Sequence, residues 1–358
     1  MADVIGEIII ARSRTLKIGF GIIVTVASLV VALWGIDLDE IRASFQRANY
    51  VSLPVFLAFL FIFYWLKALR WKLLLCPLRD FQTREVAGPM MIGFMGNNVL
   101  PLRLGELARV LVLGREFNLS KTAVLSSVVL ERLFDTATIL VFFGGSLLLV
   151  ELPAAYAITS LYLGGLTAIA FLFFAIYVVW TERFVAVAEW VLDRLRILPA
   201  TFRASLTGML ESGAEGLASL RDAKLVSWIV ITSAMQWFLN GAMIYAALWS
   251  FGVDLPLRAS FVVMGVTAFG VAVPSVPGFF GVIQLCFWVS LSIFGAEKVD
   301  VLGASVYYHL AQYIPVTLVG LYYLGRLGLR IGNITTEAES ESEYRPAKVS
   351  PGTSKATH

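Results

Sequence analysis

Charge is scarce in this chain of 358 residues: 15% of positions are Asp, Glu, Lys or Arg, against 58% apolar. A soluble domain carries about 25% charge and about 45–50% apolar residues, so that class is excluded. Cysteine and histidine are rarer still, at two each. Cys76 and Cys286 lie far apart in apolar or boundary sequence, so neither a disulfide framework nor a zinc site is expected. No G-x-x-x-x-G-K-[ST] stretch occurs, and with no phosphate-cradling loop neither ATP nor another cofactor is expected. A net charge of +3 leaves no basic surface for nucleic acid. The opening MADVIGEIIIARSRTLK has no small-residue cleavage site, and its Arg12, Arg14 and Lys17 read as flanks of a first span that stays in place.

What the chain does have is long apolar runs. About 20 such residues cross a hydrocarbon core of about 30 Å, and residues 17–36, 52–71, 121–150, 155–180, 225–251 and 301–325 meet that length. Residues 86–117 and 259–295 are apolar but interrupted, leaving arms too short to cross, and they read as re-entrant hairpins. The expected fold is an all-α polytopic membrane protein with about six transmembrane helices plus two re-entrant hairpins. Residues 1–16 form a cytoplasmic N-terminal segment, 17–330 one transmembrane domain, and 331–358 a disordered cytoplasmic tail with almost no apolar content. Residues 182–224 alternate charges with Trp190, Leu195, Leu206 and Leu210, as surface-lying helices do. Among the 28 Lys and Arg, this threading leaves outside only Arg42, Arg47, Arg258 and Lys298, which places both termini in the cytoplasm.

The first interruption, GFMGNNVLPLRLGELAR at 93–109, and the second, FGVAVPSVPGFFGVIQ at 269–284, carry the structural breaks Pro101, Gly105, Pro274, Pro277, Gly278 and Gly281. Broken backbone at membrane depth is tolerated only where protein or a wet cavity satisfies its N–H and C=O groups. Span, hairpin, span occurs twice, at 52–150 and 225–325, in opposite directions. Such inverted repeats with matched breaks mark transporters, whose substrates bind between the halves. Pro101 to Gly105 and Pro277 to Gly281 share a spacing, and SSVVLER at 126–132 aligns with ASVYYHL at 304–310, which sets Glu131 opposite His309.

Six ionisable residues follow the first break: Arg103, Glu106, Arg109, Glu131, Arg132 and Asp135. Isolated at full depth they would together cost about 15–20 kcal/mol, so pairing or water is required. Two readings stand for them. Either they contact substrate or protons, with Asn97, Asn98, Gln284 and His309 completing a head-group site, or a Glu106–Arg109 pair and a Glu131–arginine bridge hold the hairpin in place. The outer acidic turn Asp37-Leu38-Asp39-Glu40 likewise reads either as a divalent-metal site of a lipid-dependent glycosyltransferase or as a helix cap.

PLRLGELAR at 101–109, ERLFD at 131–135 and the P-x-x-P-G-x-x-G stretch at 274–281 resemble the flippase-like family of the lysylphosphatidylglycerol synthase transmembrane region. The resemblance covers roughly residues 15–330. It implies a bacterial or archaeal inner-membrane protein that moves polar lipids or lipid-linked glycans between leaflets. The family pattern implies a second glycine where Phe279 stands, a glutamate where Gln284 stands, and often an arginine near His309. The aminoacyl-transfer domain of the full synthases has no counterpart in this sequence, so aminoacyl-lipid synthesis is not expected. The expected function is therefore a non-enzymatic lipid flippase or scramblase with membrane lipids as partners and a homodimer left open. The alternatives are the glycosyltransferase and a DedA-like transporter of lipid or small solutes.

Overall fold

A computed structural model describes residues 19–100, 103–149, 181–194, 222–273 and 275–329, with scattered positions between 162 and 207 and at 332. The described residues form helices and connecting turns. In chain order these are α1 Gly19–Leu33, α2 Leu38–Arg47, α3 Ser52–Leu75, α4 Thr83–Val99, α5 Gly105–Glu116, α6 Lys121–Leu149, α7 Thr181–Arg194, α8 Ala223–Ser250, α9 Leu257–Ala272, α10 Val282–Ser292 and α11 Lys298–Arg326. Most of the expected span at 155–180 and of the surface segment 182–224, and both termini, lie outside the described residues, as do the breaks Pro101 and Pro274.

Among the described residues three helices, α3, α6 and α8, are long and apolar enough to cross a bilayer. At 24 residues, α3 rises about 36 Å, more than a hydrocarbon core. Large apolar side chains point outward, including Trp34 at 75%, Phe61 at 70% and Leu148 at 83% exposure, while Lys67, Arg70, Arg109, Glu131 and Asp135 are buried. Water as solvent would penalise both choices, and a hydrocarbon solvent favours both. The protein is a multi-pass, all-α membrane protein.

The helix pairings follow a two-fold pattern. α3 packs on α8, and two hydrogen-bonded contacts fix their directions: Ser52 meets Ser250 at one end, and Arg70 Nη1 donates to Ser233 Oγ at 3.0 Å toward the other. They are antiparallel. Around them α4 packs on α11 as α9 packs on α6, α5 on α6 as α10 on α11, and α3 on α4 as α8 on α9. Exchanging α3, α4–α5 and α6 for α8, α9–α10 and α11 reproduces each of these contacts, as an inverted repeat requires. Two apolar cores lie at opposite ends of α3, one holding Phe56, Leu60 and Phe63 with Met243 and Phe287, the other Trp71, Leu74 and Leu75 with Met90 and Leu113.

Both interrupted segments fold as helix, break, helix. α4 ends where Leu100 N–H reaches Gly96 O at 2.7 Å, and α5 resumes at Gly105. α9 ends at Ala272 and is followed by the 3-10 turn Pro277–Phe279, then α10. Gly278 and Gly281 take φ of 78° and 80°, which glycine adopts without strain. Asp37 caps α2 by accepting from Asp39 N–H at 3.1 Å, so this carboxylate of the acidic turn serves the helix end.

Candidate functional site

The charged residues form two sets, which Arg132 bridges: its Nη2 binds Glu106 at 3.0 Å and its Nη1 lies 3.7 Å from Asp135 Oδ2. The first is a buried ionic core where α3, α5, α6 and α8 meet. Glu131 Oε2 accepts from Arg109 Nη1 at 2.7 Å, and Glu131 Oε1 lies 3.5 Å from Arg70 Nη2 and 3.8 Å from Lys67 Nζ. Asp135 receives Arg70 Nη1 at 2.8 Å and Lys67 Nζ at 3.3 Å. From α8, Trp237 Nε1 donates to Asp135 at 2.7 Å and Gln236 Nε2 at 3.2 Å. Rings of Phe63, Phe94 and Trp237 surround the Lys67 ammonium at 5.3–5.7 Å, a favourable placement for a cation. Glu131 and Asp135 share one helix face because they are one turn apart, so both carboxylates meet Lys67 and Arg70, while Arg109 binds Glu131 and Arg132 Nη1 approaches Asp135 Oδ2 at 3.7 Å.

Lys67 and Arg70 correct the sequence reading. A threading that leaves only four Lys and Arg outside sets these two at the cytoplasmic end of the 52–71 span as its basic flank, but they are 4% and 0% exposed and belong to the core. Basic residues at a span's end usually mark the membrane boundary, and one-dimensional sequence does not show which of them turn inward. The signal available was their spacing: Lys67 and Arg70 lie three apart, on one helix face. The expected Glu106–Arg109 pair is also replaced. Arg109 binds Glu131, and Glu106 binds Arg132 Nη2 at 3.0 Å.

The second set lines a cavity of about 250 Å³. The first half contributes Tyr64, Phe94, Asn97, Asn98, Arg103, Glu106 and Arg132, and the second Gly278, Phe279, His309, Gln312 and Tyr313. Both breaks thus face one space. Asn98 Nδ2 donates to Thr317 Oγ1 at 2.9 Å, tying α4 to α11. Asn97 Oδ1 and Arg103 Nη2 are buried without a hydrogen-bond partner, and buried polar atoms in that state favour a polar ligand or water. Arg103 and Phe279 are non-glycine residues with φ of 56° and 60°, a conformation that costs about 1–2 kcal/mol per residue.

The second half repeats the first with the charges removed. Arg109, on the arm after the first break, bonds Glu131 on the next helix. Gln284, on the arm after the second break, lies with its Nε2 3.3 Å from His309 Nδ1, also on the next helix. Gln284 Oε1 additionally accepts from Gly281 N–H at 2.8 Å and so braces the break. The structure therefore brings Asn97, Asn98, Arg103, Glu106, Arg132 and His309 to one cavity, sets Gln284 behind His309, and holds Arg109, Glu131 and Asp135 apart in the ionic core.

The model of the family described as the lysylphosphatidylglycerol synthase TM region matches residues 18–320. A phosphatidylglycerol lysyltransferase of Bacillus subtilis (strain 168) is 26% identical over 150 residues, covering 42% of this chain and 17% of that protein. No solved structure matches. With this match over most of its length, the chain belongs to the family of the lysylphosphatidylglycerol synthase transmembrane region, and its function is related to membrane lipid.

Proposed function

We propose that the protein is a flippase or scramblase that moves a polar phospholipid or lipid-linked glycan between the leaflets of the inner (plasma) membrane, with both termini cytoplasmic. The observation that carries this reading is the cavity shared by the two breaks, with charged and amide side chains on its walls and apolar side chains on the outer surface around it. A head group that crosses a bilayer needs such a polar path, while its acyl chains stay in hydrocarbon. In this reading α4–α5 and α9–α10 are re-entrant from opposite sides, and their breaks meet near the midplane.

Arg103 is the phosphate-binding residue, because a guanidinium fork matches phosphate oxygens and its Nη2 is unfilled. Asn97, Glu106 and His309 suit the hydroxyls or amines of a head group. Arg109, Glu131 and Asp135 hold the first hairpin against α3 and α6. Neither ATP nor covalent chemistry enters the reading, and the lysyl transfer named for the relative is not carried over from an alignment covering 17% of it.

The test is movement of fluorescent phosphatidylglycerol in proteoliposomes, read by dithionite quenching. Purified protein is expected to exceed the empty-vesicle rate, and Arg103→Gln to lose most of the excess. Movement at the empty-vesicle rate for anionic and glycosylated lipids alike would remove the proposal.

A further inference from the structure

Three described non-glycine residues adopt positive φ: Arg103, Asn118 and Phe279. Asn118 is in a connecting turn, where asparagine tolerates that conformation. The other two touch. One lies at each break, and the guanidinium carbon of Arg103 sits 5.3 Å from the Phe279 ring centre across the cavity between the halves. Strain of this kind persists where the surroundings enforce it and collects at switch and ligand sites.

The ring covers a cation whose hydrogen-bonding capacity is not met. Arg103 Nη2 is buried and donates to nothing. Glu106, one turn along α5, is turned to Arg132 instead. A ring face offers a guanidinium electrostatic attraction but no acceptor lone pair, whereas a phosphate offers charge and paired oxygens to the fork. We infer that Phe279 is a tethered occupant of a phosphate site centred on Arg103, and that a phosphate-bearing ligand enters by displacing its ring. Gly278 and Gly281, which flank Phe279 at φ of 78° and 80°, give this segment the freedom to move. The lipid as source of that phosphate rests on the flippase reading; the masking of Arg103 does not.

The experiment measures binding of sn-glycerol 3-phosphate and of a short-chain phosphatidylglycerol to the purified full chain in detergent, by calorimetry. The variants are Phe279→Gly, Arg103→Gln and the double substitution, with Arg103→Lys as a charge-retaining second test of Arg103. Glycine suits the backbone at 279, so Phe279→Gly is expected to fold with an unchanged or raised melting temperature. It is expected to bind about fivefold more tightly than wild type, the size of one displaced cation–π contact. Arg103→Gln is expected to weaken binding at least about tenfold, Arg103→Lys by less, and the double variant to show none of the glycine gain. Unchanged or weaker binding by Phe279→Gly overturns the inference, as does a gain that survives Arg103→Gln, or no binding of either ligand. Binding of glycerol phosphate with these effects but of no lipid sustains the masked site and removes the lipid as its source. Lipid transport by a protein in which Phe279→Gly changes nothing sustains the flippase reading and removes the mask.

Discussion

At the scale of single residues, the ionic core is unequal: Lys67, Arg70 and Arg109 face Glu131 and Asp135. Removing one partner of a buried pair leaves an uncompensated charge and costs about 3–5 kcal/mol. Arg70→Met and Glu131→Gln are therefore expected to lower stability by about that amount, measured as thermal unfolding in detergent. Lys67→Met is expected to cost less, within about 1.5 kcal/mol, because Glu131 and Asp135 each keep arginine partners and the thioether keeps contact with the surrounding rings. Equal losses for Lys67→Met and Arg70→Met would show that charge balance does not govern this core. The acidic and basic members on α5 and α6 were legible in the sequence as charges in apolar runs. Lys67 and Arg70 were not, because a cation near the end of a span looks the same whether it meets head groups or turns back to a carboxylate.

At the scale of elements, the first hairpin closes on glycine. A Cβ on Gly105 would lie 2.0 Å from the Gly93 carbonyl oxygen and 2.5 Å from Asn97 N, and one on Gly96 would lie 2.8 Å from Gly105 Cα. α4 and α5 cross in backbone contact, which only residues without a side chain allow. Gly105→Ala is expected to destabilise the protein by about 3 kcal/mol or more, since backbone cannot yield as a side chain end does. Gly145, with nothing within 4 Å of its Cβ position, supplies the control: Gly145→Ala is expected to leave the melting temperature within about a degree or to raise it slightly, alanine being the better helix former. Equal melting temperatures for the two variants would contradict the crossing. Proline, glycine and charge in an apolar run disclosed the break, whereas the closeness of Gly93, Gly96 and Gly105 exists only once the arms fold together.

At the scale of the whole molecule, the paired contacts of α3, α4–α5 and α6 with α8, α9–α10 and α11 describe two halves of one plan with unequal chemistry. The first half carries the ion pairs, and the second replaces Arg109–Glu131 by Gln284–His309. In the proposed orientation, threading the halves in opposite directions sets the exposed turn at Asn118 on the cytoplasmic side and the exposed turn at Gly295 outside. With Cys76→Ser and Cys286→Ala as background, Asn118→Cys is expected to react with an impermeant maleimide only in inside-out vesicles, and Gly295→Cys only in right-side-out ones. Reaction of both from one side would break the inverted arrangement and with it the proposed path between leaflets.

Composition by itself determined the solvent of this protein, because a chain so apolar has nowhere else to bury its helices. Span lengths then determined its helical plan, and the twin breaks its repeat, since backbone polar groups in lipid must be satisfied within helices or against protein. Tertiary structure alone decided which charges lock together and which face the cavity. Arg103 and Arg109 lie within two turns of one another, yet one is held by Glu131 and the other faces Phe279. Pairing between charges is set by distances of a few ångströms between elements far apart in sequence, and no local pattern encodes those distances.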